Sequence, residues 1–170
     1  MHPAEFNYQI IQMSNSKLET LQVSGTPEDI GFTIGKIMAA SVHETVLPLA
    51  EFQQARRSWK DSSYLKKLDE AARSVFPNYV LELEGMARGA QLDYESMLIW
   101  NCRGDLPLLA GENPESKEHA PEGCTTLLYP AADGVAAVIA HNEDGPPELD
   151  GHCRWLTVNH ANGIEFSTFH

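Results

Sequence analysis

The chain has 170 residues, 42% of them hydrophobic, enough for one domain with a packed core and too few to require two. Its 12 Lys and Arg against 24 Asp and Glu leave a formal charge of -12, which repels phosphate backbones and anionic lipid, so neither nucleic acid nor a membrane is an expected partner. The cysteines are Cys102, Cys124 and Cys153, without a Cys-x-x-Cys pair, so neither a disulfide framework nor a zinc knuckle is expected, and a reducing, cytoplasmic location is. The polar segment 1–15 has no apolar stretch of the kind a secretory signal needs.

In chain order, Leu18, Leu21 and Val23 predict a short strand over Lys17–Ser24, followed by helix-start chemistry in Thr26 and Pro27. Ile30, Ile34, Ile37, Met38, Val42, Val46 and Leu49 recur at three and four, predicting a long helix that Pro48 kinks or ends. Gly31 and Gly35 weaken such a helix, so their placement points to close packing against another element, with chance as the competing reading. Further helices are predicted over Asp61–Val75, from Pro77 to Gly89, and from a capping Asp93 toward Arg103.

After Pro107 the character changes. Residues 108–123 are polar and Pro/Gly-bearing, the composition of an exposed linker. Beyond them the periodicity is strand-like over Cys124–Tyr129, Val135–Ala140, Arg154–His160 and Ile164–Phe169, with Asp133-Gly134 and Asn162-Gly163 as hairpin turns. The organisation expected is therefore a helical segment 1–123 and, from 124 to 170, the start of a sheet. So few strands leave an edge and an uncovered face, from which we expect the 170 residues to be one piece of a longer protein whose C-terminal part completes the fold.

Gly123-Cys124-Thr125-Thr126 opens the strand-like half and places a thiol at its start. A thiol there can attack the carbonyl before it, and glycine supplies an unhindered acyl carbon and a backbone that tolerates a strained turn. Cleavage would make Cys124 a new N-terminus whose amine, with a reference pKa of about 8, can take the thiol proton. The plain alternative is an inert cysteine filling space at a strand start. Thr125 and Thr126 suit a strand, and one hydroxyl can hydrogen-bond near the amine. A hairpin around Asp133-Gly134 returns its second strand to the level of Cys124, so that Asn142 and Asp144 can meet it. Asn142 would orient amine or substrate and Asp144 would hold the α-ammonium, unless both only shape a turn before Pro146-Pro147.

These residues resemble the acyl-coenzyme A:6-aminopenicillanic acid acyltransferase family, a cysteine-peptidase-like branch of the N-terminal-nucleophile hydrolases. The likeness is carried by Gly25-Thr26-Pro27-Glu28 with Gly31 and Gly35, by Glu84-Gly85-Met86-Ala87-Arg88-Gly89, by Asn101-Cys102-Arg103, by Gly123-Cys124-Thr125-Thr126 and by Asn142-Glu143-Asp144. The resemblance implies an α+β fold, an αββα sandwich of which this chain holds the N-terminal part. It further implies cleavage between Gly123 and Cys124, and hydrolysis or transfer of acyl groups on a small-molecule amide, with Cys124, Asn142 and Asp144 as the catalytic residues. The family's oxyanion-stabilising asparagine comes from further downstream, beyond His170. Arg103 resembles the family's Asn-x-Arg position, where it could bind a carboxylate or help cleavage, and the favoured reading is a cap on the helix C-terminus, where a cation is favourable.

No cofactor is expected. Coenzyme A thioester is a conceivable co-substrate, although no phosphate-cradling loop or basic cluster supports it. His141, His152 and His160 lack the spacing of a zinc site, so no metal is assigned, and adjacent His152 and Cys153 are expected to point to opposite faces of a strand. A dyad of Cys124 and His141, needing no cleavage, is the mechanistic alternative. A non-catalytic binding or assembly module is the alternative of a different class, and a homo-oligomer stays open.

Overall fold

The computed structural model describes residues 8–11, 19–106, 124–131, 134, 136–142 and 146–169. Their fold is α+β. Strands β1 (Tyr8–Ile11) and β2 (Glu19–Gly25) lead into helices α1 (Pro27–Ser41), α2 (Ala50–Trp59), α3 (Ser63–Val75), α4 (Pro77–Gly89) and α5 (Tyr94–Cys102). Strands β3 (Thr125–Tyr129), β4 (Val138–Asn142), β5 (Arg154–His160) and β6 (Glu165–Phe169) follow.

One sheet has the order β1-β2-β5-β6, with antiparallel pairs at both ends and a parallel pair, β2 and β5, in the middle, in register from Glu19 opposite Arg154 to Gly25 opposite His160. Strands that precede and follow position 123 therefore pair in one sheet. Alternation along β2 and β5 turns Leu21, Val23, Leu156 and Val158 to one face, where Ile30 and Ile34 of α1 seal them, and all six are at most 3% exposed. The β5–β6 hairpin turns at Gly163, whose φ of +88° is one that glycine adopts without a steric penalty, and Asn162 Oδ1 accepts the Ile164 amide at 3.1 Å.

Helix α1 begins with a full capping box. Thr26 Oγ1 accepts the Asp29 amide at 3.3 Å, Asp29 Oδ2 accepts the Thr26 amide at 3.2 Å, and Pro27 occupies the first turn. The long helix expected to Leu49 is regular only to Ser41, continues as a π turn over Val42–Val46, and stops before Pro48. Helix α2 is unforeseen in the sequence pattern. Its buried residues are Phe52 and Trp59, which join Leu65, Leu98, Ile99 and Leu106 in a second core between α2, α3 and α5.

The expected close packing of Gly31 and Gly35 is real. Helices α1 and α4 run side by side in the same direction, with Gly31 and Gly35 against the backbone of Glu82 and Met86, and Gly85 and Gly89 against that of Glu28 and Phe32. A Cβ at any of the four would meet a carbonyl oxygen at 1.9–2.4 Å, so only glycine permits this approach.

Candidate functional site

Strands β3 and β4 form a separate two-stranded ribbon whose register sets Thr125 opposite Asn142 and Thr126 opposite His141. Cys124 precedes β3 and is exposed, as are Thr125 and Thr126. The backbone of Asn142 thus returns to within one residue of the thiol's position along the ribbon. Gly123, Asp144, and the linker 108–123 lie outside the described residues.

Thr126 Oγ1 and His141 Nδ1 are 2.8 Å apart, with the imidazole tautomer deciding which donates. From the sequence, one hydroxyl of Thr125 and Thr126 is expected near the amine; this cross-strand bond is an additional finding. Its signal was the hairpin register itself, since a turn at Asp133-Gly134 sets positions 126 and 141 face to face. Continued one residue beyond β3, strand alternation would put the Cys124 side chain on the face that carries this pair.

Arg103 sits just past α5, where its Nη1 donates to the Trp100 carbonyl at 2.6 Å and its guanidinium lies 4.1 Å from the Trp100 ring centroid. The side chain is committed to its own helix end, with the cation at the negative pole of the helix.

His152 and Cys153 stand before β5, in a turn rather than in a strand as the sequence pattern had led us to expect. Chain reversal after the short 3-10 turn Pro147–Leu149 overrides strand alternation there. His152 Nδ1 lies 2.9 Å from Ser41 Oγ and Nε2 lies 3.3 Å from Thr45 Oγ1, which ties this turn to the end of α1 and the π turn. Cys153 Sγ is 4.0 Å from the Leu149 carbonyl. Burial pushes the Cys102 thiol up, and the nearby Asp105 charge adds to this, so Cys102 is a poor nucleophile. Cys124 is exposed, whereas Cys102 and Cys153 are half-buried.

The ribbon is apolar on both faces, with Leu127 65%, Leu128 63% and Ile139 71% exposed, and no described element covers it. Strands apolar on both sides belong between two layers, and an isolated two-stranded ribbon is marginal in water. No described helix is long and apolar enough to cross a membrane.

No protein-family model matches the chain. Among curated proteins, it is 27% identical over 149 residues to the beta-alanyl-dopamine/carcinine hydrolase of Drosophila melanogaster, an alignment covering 82% of this chain and 36% of that protein. The chain is thus a distant relative of a hydrolase and spans about a third of that relative's length.

Proposed function

We propose that this chain is the N-terminal part of a self-processing cysteine amide hydrolase or acyltransferase of the N-terminal-nucleophile type, acting on a small-molecule amide. The observation that carries the reading is the open thiol of Cys124 at the mouth of a ribbon whose register brings Asn142 opposite Thr125. The distant likeness to a hydrolase named for a β-alanyl amine supports the same reaction class and makes a β-alanyl or similar amide the first substrate to try.

In the maturation step the Cys124 sulfur attacks the Gly123 carbonyl carbon, the Gly123–Cys124 amide bond breaks with transfer of a proton to the leaving nitrogen, and a thioester forms. Water then hydrolyses the thioester, releasing the Gly123 carboxylate and the free thiol. In turnover the freed α-amine takes the thiol proton and the thiolate attacks the substrate carbonyl. The substrate amine departs with that proton, and water or a second amine resolves the acyl-enzyme. Asn142 and Asp144 are proposed to orient the amine and to hold its charged form. The remaining C-terminal part of the protein is proposed to cover the β3–β4 ribbon and to complete the oxyanion site.

Intact-mass measurement of the purified full-length protein tests this. Wild type is expected as two chains broken at Gly123/Cys124, and Cys124→Ala as one chain inactive on carcinine. An unbroken, inactive wild type whose Cys124 alkylates no faster than Cys102 would instead leave the binding-module reading standing.

The Thr126–His141 bond favours a second reading, in which His141 is the base for Cys124 in an uncleaved enzyme. A single wild-type chain that hydrolyses amide, and loses that activity in His141→Ala, would establish it in place of the first.

A further inference from the structure

Away from the ribbon, a cavity of about 550 Å³ opens where the α3–α4 corner meets the start of α1 and the β5–β6 turn. Its volume falls in the range of small-molecule sites, about 300–1,000 Å³. Phe76 and Tyr79 stack with ring centroids 5.8 Å apart on one side, and His160 and Phe166 stack at 5.7 Å on the other, with Ile164 beside them. Among these apolar walls stands one carboxylate, that of Glu82, with His160 as the charged group that acts on it. Burial pushes the Glu82 carboxyl up, and the charge of His160 acts against this.

The pattern of aromatic faces around a half-buried carboxylate has a definite complement. Ring faces attract a cation, and the carboxylate gives it a charge-assisted hydrogen bond, while the apolar walls need a ring or branched body to cover them. The chain's net charge of -12 raises the local concentration of cations and repels anions. His160 and Tyr79 are the other titratable side chains of the lining; His160 stacks on Phe166, and a bound ammonium would share Glu82 with it.

We propose that this cavity binds a protonated primary amine carrying an aromatic body, with the ammonium on Glu82 and the ring between Tyr79 and Phe166. None of the lining residues belongs to β3 or β4, so the site stands or falls independently of the nucleophile assigned to Cys124.

Phenethylamine titrated into the full-length protein and followed by calorimetry is the test. Saturable binding is expected in the wild type. Glu82→Gln, which keeps the side chain's shape and leaves its backbone contact with Gly31 in place, should weaken it about tenfold or more, and the exposed Tyr79→Ala should weaken it severalfold. Phenethyl alcohol and phenylacetate, which keep the ring without the cation, should bind at least about tenfold more weakly than the amine. Cys124→Ala should bind phenethylamine like the wild type. No saturable binding, equal affinity in Glu82→Gln, equal affinity for the uncharged analogue, or loss of binding in Cys124→Ala would each overturn the proposal, the last by placing the amine at the nucleophile.

Discussion

Replacing Gly35 by alanine sets two effects of opposite sign against each other. Helix propensity favours alanine inside α1 by about 1 kcal/mol. The new Cβ, however, would lie 2.1 Å from the Met86 carbonyl oxygen and 2.8 Å from its carbonyl carbon and Cα, whereas ordinary contact begins at 3.4 Å. These are backbone atoms of a helix, so no rotamer change relieves the overlap, and α1 and α4 must part by more than an ångström. Because Ile30 and Ile34 on another face of α1 seal the sheet, the helix cannot retreat without opening that core. Overpacking that side chains can absorb costs about 1–3 kcal/mol, and a rigid clash belongs at or above the top of that range. We expect a net loss of about 3 kcal/mol, a large share of a typical total of about 5–15 kcal/mol. Urea unfolding followed by circular dichroism should show the midpoint falling by about 1.5 M for a slope near 2 kcal/mol/M. Gly104→Ala, where an added Cβ meets nothing within 4 Å, should leave the midpoint in place. A Gly35→Ala midpoint equal to or above wild type would refute the reasoning, since propensity would then have outweighed contact.

Two pH effects of opposite sign follow from carboxylates in the helical half. Asp93 caps α5 by accepting the Ser96 amide at 3.0 Å and meets Lys60 at 3.2 Å; burial pushes its carboxyl up, but the Ser96 and Lys60 interactions outweigh this and hold it below the ordinary range. Asp93→Ala should cost about 1 kcal/mol near neutral pH, mostly from the lost cap because exposed ion pairs add little. That cost should fade as pH falls through the folded-state value, so an equal loss at acid and neutral pH would count against it. Glu82 is raised by burial, with His160 opposing, so its folded form takes up protons the unfolded chain has released. Its contribution is present below the unfolded value of about 4.3 and is lost as pH rises through the folded one, so Glu82→Gln should raise the melting temperature near neutral pH and not below about pH 4. The same shift at both pH values would exclude burial of the charge as the cause.

The sequence carried much of the helical half because its signals are local. Thr26, Pro27 and Asp93 are capping residues whose chemistry acts within one turn, and α3 and α4 appear where periodicity and Pro77 put them. Helix α2 escaped notice because Phe52 and Trp59, seven apart, bury its face almost alone among Glu, Gln and Arg residues. The partner of Gly31 and Gly35 was not readable either, although Gly85 and Gly89 repeat the same four-residue spacing on α4, which in hindsight is the complementary half of one contact. The hairpins were legible from their Xaa-Gly turns, but the parallel pairing of β2 with β5 was not, since alternation tells which face a residue takes and not which strand lies beside it. At the candidate site, Cys124 was legible as a thiol opening a strand, whereas the Thr126–His141 bond depends on a register that only the folded ribbon fixes.

That parallel pairing bears on what cleavage at Gly123/Cys124 would do. A cut there leaves β2 and α1 on one piece and β5 and β6 on the other, yet β2 and β5 are paired over seven residues at the centre of one sheet. Leu156 and Val158 are each 2% exposed beneath Ile30 and Ile34, and freeing them from that core would cost about 1.5–3 kcal/mol each. The Arg154–Glu19 ion pair at 2.8 Å, the His152–Ser41 bond at 2.9 Å and the Ala161 amide donating to the Gly25 carbonyl at 2.8 Å cross the same junction. The two pieces should therefore stay together through size-exclusion chromatography in native buffer and separate only in denaturant. Leu156→Ala should weaken that association, because it removes a buried side chain shared between the pieces while leaving the scissile bond untouched. Cleaved pieces that elute apart in native buffer would show that the β2–β5 junction does not hold the processed protein, and would require the joining contacts to lie elsewhere.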